Sequence, residues 1–310
     1  MGDFDGTVGA LLLGLFLNTY LYGFVTYQFL VYKNTKFNDP IWIKIIVAAL
    51  FVTDTLHSAV AMYAGWQMCV TNYNHPESLL FVGWTIPFTA VATAVAAALT
   101  QFFLGHRVLL LTKSKIICGT IGILSALGFV FGVYAGVRSG IINDVRLFKP
   151  LEPFVICWLG FQTSADLLIT GVLTYILSRS RTGFRKTDTI INRLIRGAIQ
   201  TGLFASIFAL ADLFSFLLHR DTNLYAMFAY PIGRIYTNTL LDTLNARVDL
   251  KQDAAGTIDV DSVNTYRLQD HTQTLAGTSS IHSVRVNKEI ITDCGSIDTK
   301  STPNDTADKV

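Results

Sequence analysis

Charge is what this chain has least of. Only 15% of its 310 residues are Asp, Glu, Lys or Arg, against about 25% in a soluble domain. A surface that poor in charge is suited to lipid rather than water. The net charge is +2 and the basic residues are not pooled, which excludes an electrostatic nucleic-acid footprint. Cysteine is also sparse: four residues and no CxxC pair, so neither a disulfide framework nor a zinc ribbon is encoded. A Cys69–Cys157 bridge stays open, because its geometry is not written in the sequence. No GxSxG elbow and no phosphate-binding Walker loop occurs. The first residues, MGDFDG, are acidic and lack the basic region of a signal peptide. Gly6 stands where N-myristoylation needs Ser or Thr. The first apolar stretch is therefore expected to be a permanent span.

What is present is hydrophobic, 51% of the chain, and it is gathered rather than scattered. Seven apolar stretches run roughly over 9–32, 41–65, 81–104, 116–138, 152–177, 194–218 and 224–243. A helix needs about 20 apolar residues to cross a bilayer, where every backbone amide must be bonded internally. The stretches are too long, and alternate too little, for the strands of a membrane barrel. The fold expected is an all-α, seven-transmembrane helix bundle over residues 1–248. Turn signals separate the runs, as in Asn38-Asp39-Pro40, Asn74-His75-Pro76 and Lys149-Pro150.

Direction follows from the basic residues near helix ends. Twelve Lys and Arg mark one set of ends, among them Lys33, Lys36, Arg107, Lys113, Arg179 and Arg196. The other set has four: Arg138, Arg146, Lys149 and Arg220. The positive-inside rule then puts the N-terminus outside and the C-terminus in the cytosol. Trp42, Trp66 and Trp84 fall near helix ends, where an amphipathic ring is well solvated. Residues 249–310 are rich in Asp, Asn, Ser and Thr and read as a disordered cytosolic tail. The acceptor sequence Asn304-Asp305-Thr306 lies in it and should stay unglycosylated on this topology.

Small residues mark packing faces. Gly128, Gly132, Gly136 and Gly140 repeat every fourth position in the fourth stretch, so they line one helix face and admit another backbone. The third stretch carries Ala90, Ala94 and Ala98, with Thr85, Thr89 and Thr93. Helix–helix contact within one chain and a homodimer through the glycine face both fit this pattern.

The intramembrane charges are the most informative residues. Each costs roughly 2.5–3.5 kcal/mol at mid-bilayer even on a lenient scale, so each is expected to face the bundle interior and pair. The candidates are Asp54 and His57 in stretch two, Asp166 in five, Asp212 in six and Arg234 in seven. Asp54 and His57, at i and i+3, share a face, as do Gln162 and Asp166 at i and i+4. Arg234, Asn238 and Asp242 form a stripe on stretch seven. One Arg cannot neutralise three Asp, so Arg234 is expected to pair with Asp54 or Asp166. The seven polar residues Asp54, His57, Gln162, Asp166, Asp212, Arg234 and Asn238 are the candidate lining of an interior pocket for a small molecule or ion. A polar network that fixes helix register and an ion pathway fit the same residues.

Several seven-helix chemistries are weakened. Stretch seven has no Lys for a retinal Schiff base, and Arg234 stays protonated and cannot replace it. Gly105-His106-Arg107 lacks the acidic neighbour of a G-protein-receptor motif, and stretch seven has no N-P-x-x-Y. His57 is the one deep histidine, which is too few for a zinc hydrolase. Pro87 and Pro231 are candidate kinks, without the internal repeat of a secondary transporter. Neither a catalytic residue nor a metal or cofactor site is assigned.

The residues Ser178 to Asp188, Ile191 to Ile195, Thr201 to Leu203 and Ile235 to Arg247 resemble a fungal, mainly basidiomycete, family of seven-span proteins known only as a domain of unknown function. The resemblance is most specific over about 160–247. Asp242 stands where the family has a small residue, and Thr239 where it often has Ser. The resemblance implies a membrane protein and assigns no activity. Within it, Tyr236, Asn238 and Asn245 offer hydrogen bonds, Arg247 is placed to snorkel to headgroups, and the basic loop within 178–196 can lie on anionic lipid or, with the tail, dock a cytosolic partner. A receptor-like or sensory protein is the leading expectation, a transporter or channel the second and a membrane enzyme the third. The plasma membrane and the endomembranes are not distinguished.

Overall fold

The structure, a computed structural model, describes residues 5–35, 37–72, 82–142, 144, 147–180, 185–218 and 224–247. All of them fall in one compact unit, Met1–Gly256. The tail from 249, the Asn74-His75-Pro76 turn, His219 and part of the basic loop lie outside the described residues.

The described residues are helical wherever the apolar stretches run. The helices are α1 (Ala10–Asn34), α2 (Ile41–Trp66), α3 (Thr85–Thr112), α4 (Lys115–Ile142), α5 (Glu152–Arg179), α6 (Arg185–Leu218) and α7, residues 224–247. Five of them, α1 to α5, are long and apolar enough to cross a membrane. α6 has a shorter apolar section, Gly202–Leu218. α3 continues past its apolar run through His106 and Arg107 to Thr112, and α6 begins nine residues before its own run. A helix end that meets water need not be apolar, so hydropathy underestimates its length. Pro87 lies in the first turn of α3, where no backbone donor is required, and so gives no kink.

α3 and α4 are joined by Lys113 and Ser114 alone. Lys113 closes α3 in the left-handed conformation, φ 54°, with its N–H on the Leu109 carbonyl. So short a link makes the two helices antiparallel neighbours. The glycine face of α4 is filled from within the chain. A Cβ at Gly132 would stand 2.7 Å from Trp158 Nε1 and 2.9 Å from Ala94 Cβ, and one at Gly140 would meet Pro87 Cγ at 2.8 Å. α3 and α5 therefore pack against this face within the chain.

The bundle is apolar outside and polar inside. Phe16, Ile116, Ile123, Phe204, Phe214 and Leu218 are exposed, while Asn18, Asp54, His57, Gln101, Asp166 and Arg234 are buried. That inversion is the one a bilayer requires: lipid solvates alkyl groups, and buried polar groups bond one another across helices. α7 lies at the centre. It bonds α1 through Asn238 and Asn245, α2 through Arg234, and α5 through Tyr236. It packs on α3 and α6 through Ile232 and Tyr236 beside Ala97 and Ala205. A helix enclosed by protein need not be strongly apolar, which accounts for the polar sequence of α7. The Asn238 and Asn245 amides donate to the Leu21 and Gln28 carbonyls at 3.3 and 2.8 Å. The shared seven-residue step shows that α1 and α7 run parallel.

Candidate functional site

The buried polar residues form two clusters and a cavity. In the first cluster, Arg234 of α7 reaches α2. Its Nη1 donates to the Asp54 backbone carbonyl and to Ser58 Oγ, both at 3.0 Å. Its Nε lies 3.1 Å from Asp54 Oδ1. That N–H is not aligned on the oxygen, and neither carboxylate oxygen of Asp54 has a hydrogen-bond partner. The contact is thus a charge pair at close range, with the directional bonds made to the backbone carbonyl and to Ser58. His57, one turn on, is fully buried and both ring nitrogens are unbonded. Its ring lies 6.0 Å from that of Tyr230.

The second cluster is a continuous chain of hydrogen bonds. Trp158 Nε1 donates to Gln162 Oε1 at 2.7 Å, and Gln162 Nε2 donates to Tyr236 Oη at 2.8 Å. Tyr236 Oη donates to Asp166 Oδ2 at 2.5 Å, and Gln101 Nε2 reaches Asp166 Oδ1 at 2.8 Å. Asp166 is therefore held by a phenol and an amide and takes no part in the Arg234 pair. Gln101, Trp158 and the depth of Tyr236 were not legible from a search for charged residues. The signal for Gln101 is a lone amide at the end of the run Ala96-Ala97-Ala98-Leu99-Thr100.

A cavity of about 370 Å³ opens above both clusters. Its walls are the last turns of α2, α4 and α6 and the first turns of α1, α3, α5 and α7. It therefore occupies the bundle end remote from Lys33, Lys44, Arg107, Lys113, Lys115 and Arg179. Tyr63, Trp84, Trp158, Phe216, Tyr225 and Tyr230 supply aromatic walls, and Asp212 is the one charged residue among the described residues that line it. Of the seven residues grouped from sequence as one pocket, Asp212 alone lines this cavity. Asp54, His57 and Arg234 lie in the first cluster, Gln162 and Asp166 in the second, and Asn238 faces α1. Two wall residues lead down to the clusters: Trp158 to Gln162, and Tyr230 to His57.

At the opposite end, α7 is fastened to the α1–α2 link. Arg247 Nη1 and Nη2 bond the two oxygens of Asp39 at 2.7 and 2.9 Å, and its guanidinium lies 4.4 Å over the Phe37 ring. Tyr32 Oη adds a third bond to Asp39 at 2.9 Å. The hydrogen bonds from Arg247 hold the Asp39 carboxyl below the usual carboxylate range. Arg247 thus meets a specific carboxylate at this end of the bundle. Cys69 and Cys157 are free thiols, so they are not bridged.

No curated protein and no solved structure matches the chain. The model of a family of unknown function, DUF6534, matches residues 162–249, which begin inside α5 at Gln162 and take in α6 and α7.

Proposed function

We propose that the chain crosses the membrane seven times, with the start of α1 outside and the end of α7 in the cytosol, and acts as a receptor-like or sensory protein that takes a small molecule into the outer cavity. The observation that carries this reading is the cavity itself, at the bundle end opposite Lys33, Arg107, Lys113 and Arg179. Its volume of about 370 Å³ lies in the range of small-molecule sites. Beneath it, toward the basic end, the bundle is packed with Leu50, Val108, Ile169, Leu173, Leu240 and Leu244, which favours access from one side. The resemblance to fungal seven-span proteins supports the count, and the tail from 249 is read as a disordered cytosolic segment. The basic loop within 178–196 is the proposed contact for a cytosolic partner.

A transporter is the second reading. Its support is that Tyr230 and Trp158 connect the cavity wall to buried polar groups deeper in the bundle. Thiol labelling separates the two. In a variant with all four native cysteines replaced by serine, Thr89→Cys and Ala229→Cys should react with a membrane-impermeant reagent from the outer face of oriented vesicles only. Labelling from both faces would favour the transporter. Labelling from the cytosolic face alone would overturn the orientation.

A further inference from the structure

Among the described residues, each acid buried in the bundle but one lies against a charged or hydrogen-bonding partner. Asp54 lies beside Arg234, and Asp166 accepts from Tyr236 and Gln101. Asp212, 7% exposed, lines the cavity and has neither a hydrogen bond nor an ion pair among the described residues. Two further wall groups are open. The hydroxyls of Thr89 and Thr93, one turn apart on α3, are buried and unbonded. In most helices such hydroxyls fold back on the carbonyl four residues earlier, as Thr19 and Thr112 do here. A polar group left bare in an apolar bundle costs free energy unless something else supplies its partner.

We propose that the cavity binds a small amphipathic amine, whose ammonium pairs with the Asp212 carboxylate and whose apolar body packs against the aromatic walls. The assignment rests on the outer-cavity reading and adds the class of ligand. Among the described residues, Asp212 is the only charge in the wall and no Lys, Arg or His lines the space, so the wall favours a cation over an anion. A neutral ligand would leave the carboxylate uncompensated. A bare divalent cation fits poorly, because calcium takes six to eight oxygen ligands and these walls are mostly alkyl and aromatic. An ammonium meets one carboxylate and several ring faces well. Phe216, one helical turn beyond Asp212, packs edge-to-face on Tyr225 at 5.7 Å, so two rings stand beside the carboxylate's helix. Thr89 and Thr93 can take a hydroxyl or second amine hydrogen of the ligand.

The test compares three probes with one aromatic body: 2-phenylethylamine, 2-phenylethanol and 3-phenylpropionate. The full chain is purified into lipid nanodiscs, and binding is read by thermal unfolding and by the fluorescence of Trp84 and Trp158. The amine should bind about tenfold tighter than the alcohol, the margin of a charge-assisted over a neutral hydrogen bond. In Asp212→Asn that preference should fall to near unity while alcohol binding is retained, which also shows that the variant folds. Equal binding of amine and alcohol by the wild type, or a preference that survives Asp212→Asn, would overturn the amine assignment and leave the cavity reading standing. So would tighter binding of the carboxylate, or a thermal shift reproduced by sodium chloride alone. If no probe binds while Ala229→Cys still labels from outside, the ligand class is wrong and the cavity is not. If that label fails as well, both fall.

Discussion

Removing the Arg234 guanidinium should destabilise the bundle more than any other single polar substitution in it. Arg234→Ala deletes two aligned hydrogen bonds, to the Asp54 carbonyl and to Ser58, and the charge 3.1 Å from Asp54 Oδ1. The carboxylate left behind is 0% exposed, with no other charge beside it and only the Thr237 hydroxyl near it. Breaking a buried pair from one side costs about 3–5 kcal/mol, because a charge is stranded. For a chain of this size each kcal/mol lowers the melting temperature by about 2–4 °C, so the fall should be on the order of 10 °C. Arg234→Lys keeps the charge but cannot fork to two acceptors, and should fall between. The double substitution Asp54→Leu with Arg234→Met removes both charges and should melt close to the wild type, since a buried pair is often replaceable by apolar groups of similar volume. The assay is thermal unfolding of purified protein in nanodiscs, followed by tryptophan fluorescence and by the monomer fraction recovered after heating. The reasoning fails if Arg234→Ala melts within about 2 °C of wild type, or if the double variant is no better than the single.

Three other substitutions follow from the same geometry. Gln101→Leu takes the amide from Asp166 Oδ1 while Tyr236 keeps Oδ2, and should cost about 1–3 kcal/mol in the same melts; a neutral result would mean that the amide is not needed. Gly132→Ala places a methyl within 3 Å of the Trp158 indole and of Ala94 and should destabilise by about 1–3 kcal/mol, whereas Gly122→Ala on the same helix, with nothing within 4 Å, should be neutral or stabilise by up to about 1 kcal/mol. Arg247 depresses the Asp39 carboxyl, so the pair contributes above the ordinary carboxylate pKa, about 3.9, and its contribution is lost as pH falls through the lower folded value. The wild type should therefore lose stability relative to Asp39→Asn on acidification below about pH 4, and a difference between their melting curves that stays constant with pH would refute this.

The helices were legible because apolar runs of bilayer length are long, strong signals. Their polar ends were not: α3 and α6 extend where hydropathy has already fallen. That Arg234 needs a buried acid, Asp54 or Asp166, was legible because a charge in an apolar run must be compensated; packing selects Asp54. The second cluster escaped the same search because its members are mostly neutral. Gln101 and Trp158 carry no charge, and their importance arises from meeting Gln162 and Asp166 across helices. The Arg247–Asp39 contact joins residues 208 positions apart, and no local pattern specifies such a pairing. The glycine stripe announced a close approach, but only packing identifies Trp158, Ala94 and Pro87 as the groups that approach.

The family match begins inside α5, yet the polar contacts of the matched segment reach out of it. Arg234 needs Asp54 and Ser58 of α2, Asp166 needs Gln101 of α3, Asn238 and Asn245 use carbonyls of α1, and Arg247 is paired with Asp39. The matched residues therefore hold one side of interactions whose other side lies in α1 to α3. With those helices removed, Arg234 would lose Asp54 and Ser58, and Asp166 would keep Tyr236 but lose Gln101, at the cost that uncompensated intramembrane charge carries. The physical unit is the whole bundle, and α7 is the reason: a helix this polar is stable at the centre of a membrane protein only when the other helices surround it. Its position also explains why the cavity and both clusters share it, since Tyr230, Arg234 and Tyr236 occupy less than two turns of one enclosed helix.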